Sequence, residues 1–163
     1  MAKLVFGILM TVIWWMIHAL QIDEELALNK VFEAKRAINR AAHAAAQQVN
    51  QEELEQGRVL IQEEMAKALA IRYLMENLRL DDNLQPLPDS FLREAIEVKV
   101  FEIVNSDETF PYIYRNGTYD FEAIFEHPGV VMIVHVKYPR VFAVLSPIEW
   151  DLKGAAELVV PHV

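Results

Sequence analysis

Nineteen consecutive residues near the start of the chain, LVFGILMTVIWWMIHALQI at positions 4–22, carry no ionised side chain. In a bilayer every backbone N–H and C=O must find its partner within the chain, so a lone segment of this kind is restricted to a helix. At about 1.5 Å per residue it spans roughly 28 Å, close to the thickness of the hydrocarbon core. A cleavable signal peptide also begins with a short basic stub, here Met1-Ala2-Lys3. Its apolar core is about half as long, and it ends in small residues; here bulky Ile17 stands two positions before Ala19. The run is therefore expected to stay as an anchor. Lys3 before it and Asp23-Glu24-Glu25 after it put the N-terminus in the cytoplasm by the positive-inside bias. His18 and Gln21 fall at the outer boundary, whereas Trp14 and Trp15 lie deeper than an aromatic belt.

The anchor accounts for the high apolar fraction of 53% and the mean hydropathy of +0.13. The remainder has ordinary composition and is acidic. With −9 overall and Lys3 the single charge before Asp23, about −10 falls on the rest. A protein that grips nucleic acid needs a basic face to displace counterions, and no such stripe follows the anchor. There is no cysteine, hence no disulfide framework and no thiolate chemistry.

Between Gly7 and Gly57 the sequence has neither glycine nor proline, so no local residue stops a helix that leaves the membrane. One stripe of apolar or small residues runs along it: Leu28, Val31, Ala34, Ile38, Ala41, Ala42, Ala45 and Val49, interrupted by Lys35. Either it covers the chain's own domain or it packs laterally on identical helices, since alanines permit close backbone approach. Three units follow: a cytoplasmic stub and transmembrane helix at 1–22, an extended amphipathic helix at 23–56, and an extracytoplasmic α+β domain at 57–163.

Within the domain a second helix is expected over about 58–80, with Ile61, Met65, Ala68, Leu69 and Leu74 inward. Pro86 and Pro88 end that region, and Asp89 or Ser90 can cap a short helix over 91–95. Beyond it, β-branched and aromatic runs predict an antiparallel sheet of four or five strands at 97–104, 110–115, 118–125, 130–138 and 156–160. Asn116-Gly117 suits a two-residue hairpin turn with positive φ at both positions. It also matches a glycosylation acceptor with Thr118, which the turn explains without modification. The 130–138 strand reads as central, with Met132, Val134, Val136 and Tyr138 on one face.

No catalytic constellation is visible. Ser90, Ser106 and Ser146 lack a nucleophile-elbow context, and there is no phosphate loop, dinucleotide fingerprint or HExxH. Histidines 18, 43, 127, 135 and 162 are dispersed without ligand spacing. No catalytic residue, metal, cofactor or small-molecule substrate is expected. The acidic clusters Glu52-Glu53-Glu55 and Asp81-Asp82 read as solvated faces.

The membrane helix, the Ala/Arg-rich segment Ala34-Lys35-Arg36-Ala37-Ile38-Asn39-Arg40-Ala41-Ala42-His43-Ala44-Ala45-Ala46 and the strand Val130-Val131-Met132-Ile133-Val134-His135-Val136-Lys137-Tyr138-Pro139 together give a layout. It resembles the TadE/TadG-type pilin-like proteins of tight-adherence systems. The resemblance implies a non-catalytic minor pilin or assembly factor, partnered by the bilayer and by copies of itself or other pilin-like subunits. It also implies processing by a prepilin peptidase after a glycine followed, five residues on, by glutamate. Gly7 is the candidate, and Val12 stands where that glutamate would be. The reading from another class is a membrane-tethered binding module that presents its α+β domain to an envelope partner.

Overall fold

The apolar run and the alanine-rich run form one helix. In the computed structural model, which describes residues 1–140 and 146–159, α1 covers Ala2–Ala46 without a break. Up to Ile17 it is exposed on every side, and His18, Ala19 and Leu20 are half-buried. The second half is the spine of an α+β domain, in which Ala34, Ala37, Ile38, Ala41, Ala42, Ala45 and Ala46 are buried.

α1 ends ten residues short of the expected Gly57 boundary, although no glycine or proline lies nearby. The stop is tertiary. Val49 pairs with Ile61 in an antiparallel bridge, flanked by Asn50 N–H to Leu60 O (2.8 Å) and Gln62 N–H to Gln48 O (2.7 Å). The Asn105 side chain clamps this rung by accepting from Ile61 N–H at 2.7 Å. A helix continuing past Ala46 would forfeit all of these bonds. Asn50 instead caps the short α2, Gln51–Glu55, by accepting from Glu52 and Glu53 N–H. Gly57, at φ 78, then turns the chain back.

α3, Glu63–Leu78, runs antiparallel to α1, as the Arg40–Asn77 hydrogen bond shows. Its inward face is Ala66, Ala70, Leu74 and Leu78, an i, i+4 row. This corrects the sequence reading: Met65 and Ala68 are exposed and Leu69 is half-buried, while Ile61 and Leu74 are buried as expected. The cause is α1 itself. Its alanines leave room only for other small residues at close approach, so α3 turns Ala66 and Ala70 inward rather than its larger neighbours. No helix forms over 91–95. Ser90 ties off the end of α3 instead, donating to Leu78 O at 2.7 Å and accepting from Leu92 N–H at 3.2 Å.

The sheet has three strands in the order β1 (Glu97–Val104), β4 (Gly129–Tyr138), β5 (Ile148–Glu157), all antiparallel. β4 is central, as its two-sided apolar sequence predicts. Val130, Met132, Val134 and Val136 face the helices together with their β5 partners Ala156, Gly154, Leu152 and Trp150. β5 begins eight residues earlier than the sequence suggests; of the expected 156–160 strand, Val160 lies outside the described residues. β2 (Tyr112–Asn116) and β3 (Phe121–Phe125) pair as a separate hairpin. It packs through Tyr114 and Phe125 on the opposite face of β4, at Val131.

The hairpin is not closed by the expected two-residue turn. Asn116 pairs with Phe121, so four residues form the loop, and the positive φ is at Asp120 (46°). The Asn116 carboxamide accepts from Thr118 and Tyr119 N–H, which makes it an Asx turn rather than a left-handed residue.

Candidate functional site

Two surfaces are left by this packing: the protruding half of α1 and the place where it enters the domain. The first is set by composition. α1 is long and apolar enough to cross a membrane, and none of its most apolar window is buried by the rest of the chain. A core helix of a soluble domain with the same hydropathy would be mostly covered. Gly7 sits inside this segment, with open space around its Cα and its carbonyl accepting from Thr11 Oγ1 at 2.9 Å. Trp14 packs edge-on against Trp15 and over the His18 ring. That contact gives the two tryptophans and the histidine local partners within the helix.

The eight stripe residues divide sharply. Ala34, Ile38, Ala41, Ala42 and Ala45 are wholly buried against α3 and the sheet, so they are not available to another chain. Val49 is not helical and serves the Ile61 bridge. Leu28 remains 57% exposed and Val31 half-buried. The reading of the stripe as a lateral interface therefore fails for its alanine-rich part: the area it offers is already used within the chain. Phe32, outside the stripe, is 60% exposed. It lies one turn from Leu28, beyond the span, and extends the uncovered apolar surface of α1.

α1 enters the domain gradually, with His18, Ala19 and Leu20 already half-buried, and the sharpest step comes at the end of the apolar run. Ile22 is exposed, and Asp23 is wholly buried. Arg140, just past β4, reaches Asp23 Oδ2 with Nη1 at 3.4 Å, and its Nε donates to Ser146 O at 3.1 Å. The sequence reads Asp23 only as part of the acidic flank Asp23-Glu24-Glu25 and gives no sign of this pairing, which depends on a chain separation of 117 residues.

A polar cluster occupies the outer face of the sheet. His135 Nδ1 lies 2.8 Å from Asp151 Oδ1, and its Nε2 lies 3.7 Å from Glu149. Lys137 bridges Glu149 (3.2 Å) and Glu94 (3.5 Å), and those carboxylates hold its ammonium above the usual lysine pKa. Both imidazole nitrogens face carboxylates, so the ring is not set as a base beside a nucleophile. Among the described residues no group of three or more His, Asp or Glu is placed to hold a metal ion. Among the described residues, a half-buried cation under strain is Lys35 on α1. Its pKa is lowered, first by burial and then by the nearby Lys153.

Compared with known proteins, the chain matches no family, no curated protein and no solved structure.

Proposed function

We propose that this chain is a non-catalytic structural or assembly subunit of a pilus-like envelope system, held in the cell membrane by the first half of α1. The N-terminus is cytoplasmic, and the α+β domain stands outside. The observation that carries the reading is the division of one unbroken helix into an uncovered apolar half and a half consumed as domain core. Such a helix offers lateral contacts only through its first half and the adjoining Leu28–Phe32 turn. Packing there is driven by van der Waals contact and shape rather than by chemistry.

Photo-crosslinkers at Val12 and Phe32 in native membranes test this. Adducts with a second copy, or with another small single-span subunit, are expected from both positions. Exclusively monomeric protein from both would overturn the assembly role. Mass spectrometry of the mature N-terminus decides whether Gly7 is cut.

A second reading, the tethered binding module, draws on the β2–β3 hairpin. Ile113 and Ile124 are direct cross-strand partners on its outward face, and both are exposed. Crosslinks from Ile124 to one heterologous envelope protein, with none from Val12, would favour that reading.

A further inference from the structure

The geometry points to a second role for the bilayer beyond anchoring: we propose that the β4–β5 end of the sheet is a footing that rests in the lipid headgroup layer beside α1. The inference depends on the anchored reading given above. It adds that the domain is seated on the membrane, not held off on a stalk.

Height decides the matter first. The apolar run ends at Ile22, and the first wholly buried residue is Asp23, with Ala27 buried one turn later. α1 is unbroken through this stretch, so no linker intervenes. Five residues of helix rise only about 7.5 Å, comparable to the headgroup zone outside the hydrocarbon core. Whatever packs at the level of residues 23–27 therefore shares that zone.

What packs there is the β4–β5 end. Three contacts fix the direction of β5 along α1. Trp150 lies with Ala27 and Leu28, Gly154 faces Ile38, and the carbonyl of Glu157 accepts from Gln47 Nε2. β5 thus climbs away from the membrane and β4 descends toward it. Arg140 and Ser146, on either side of their connection, sit at the level of Asp23.

The chemistry of this end suits lipid. Trp150, half-buried, stacks on the buried Tyr138 with ring centroids 5.9 Å apart, and an amphipathic aromatic ring of this kind favours the headgroup level. Ile148, Trp150, Leu28 and Arg140 line a shallow apolar hollow that opens beside the helix. Arg140 is the one described cation in that hollow, and it is committed to Asp23, with Glu24 adjacent. The attraction is thus interfacial and not polybasic, so it does not call for anionic lipid.

Fluorescence of the full chain in phosphatidylcholine nanodiscs tests this. The three tryptophans are reduced to Trp150 by Trp14→Phe and Trp15→Phe. Lipid carrying a nitroxide on its headgroup is expected to remove more than half of the Trp150 emission, and a nitroxide at mid-chain to remove much less. Replacing part of the lipid with phosphatidylglycerol should leave the quenching unchanged. A tryptophan placed on the hairpin by Ile124→Trp, with the other three changed to Phe, should stay unquenched. Its strand pair packs near the Gly129 end of β4, roughly 30 Å from Tyr138 at about 3.3 Å per residue. In the unaltered chain, mid-chain nitroxide must quench Trp14 and Trp15. If it does while Trp150 is untouched by headgroup label, the footing is wrong and the anchor stands. If neither is quenched, both fall.

Discussion

Gly154→Ala probes the contact on which the domain's architecture turns. A Cβ at this position would stand 2.8 Å from Ile38 Cγ2 and 3.4 Å from both Ile38 O and Asn39 Oδ1. Ordinary carbon contacts lie near 3.5–4.0 Å, so the shortfall at Cγ2 is about 0.7–1.2 Å. Ile38 cannot swing aside, because it is wholly buried and a β-branched residue in a helix has essentially one χ1 rotamer. α1 must therefore lift from β5. Overpacking of this kind costs about 1–3 kcal/mol, and the smaller unfolded-state entropy of Ala over Gly returns roughly 0.4–1. The net expectation is a loss of about 1–2 kcal/mol, read by urea unfolding of the full chain in micelles with near-ultraviolet circular dichroism. At this size it corresponds to a drop in Tm of roughly 3–10 °C. Ile38→Ala removes the offending methyl at its own cost of about 2–5 kcal/mol. The double variant should be more stable than the sum of the two losses allows, by about 1 kcal/mol. If Gly154→Ala matches or exceeds the parent in stability, α1 is not seated on β5 as described.

Four further expectations use the same unfolding assay. Ala41→Leu, which forces volume into a fully buried site, should cost about 1–3 kcal/mol, while Phe32→Ala on the uncovered side of α1 should stay within about 0.5. Ser90→Ala strands the Leu78 carbonyl and the Leu92 N–H in a buried setting, and a loss of about 1–2 kcal/mol is expected. Asn105→Ala releases the Ile61 rung that stops α1, with a similar loss and faster hydrogen exchange at Asn50 and Gln62. Lys35 has a folded pKa below its unfolded value of 10.5, so the unfolded state binds more protons between the two. Its unfavourable contribution is therefore full below the folded pKa and is relieved as pH rises toward 10.5. Lys35→Met should stabilise the protein at neutral pH, and its advantage over the parent should shrink in that alkaline window.

The sequence carried most where periodicity and burial agree. The span announced itself because no charge interrupts it, and β4 read as central because both of its faces are apolar. β1 was placed to the residue by its flanking turns. The failures share a cause, which is that small or polar residues took structural roles through distant partners. β5 went unseen before Ala156 because its inward positions include Gly154, which looks like a break in a strand and is in fact the room that α1 occupies. The register of α3 was misread because Met65 outweighs Ala66 on any hydrophobicity scale, although alanine alone fits against another alanine-rich helix. The end of α1 at Ala46 depends on Asn105, far along the chain. Asn116-Gly117 marked the hairpin but not its loop, because the Asx turn used the Asn side chain where a left-handed backbone was expected. At the end of the apolar run, Asp23 read only as part of an acidic flank, and only the fold brings Arg140 onto it. The alanine stripe was legible as a packing face, and of the two partners it left open, the chain's own domain and identical helices, the fold fills it with this chain's sheet and α3.

The unbroken passage of α1 from lipid into core is the claim on which anchor, footing and assembly all depend. A distance measurement by pulsed electron paramagnetic resonance addresses it, with spin labels at Val12 in the span and Arg36 beside the domain, both exposed, in phosphatidylcholine nanodiscs. A rigid helix places twenty-four residues of rise between them, so one narrow distribution centred near 36 Å is expected. A broad distribution, or one centred well below that value, would mean a hinge between Ile22 and Ala34 and would contradict the account.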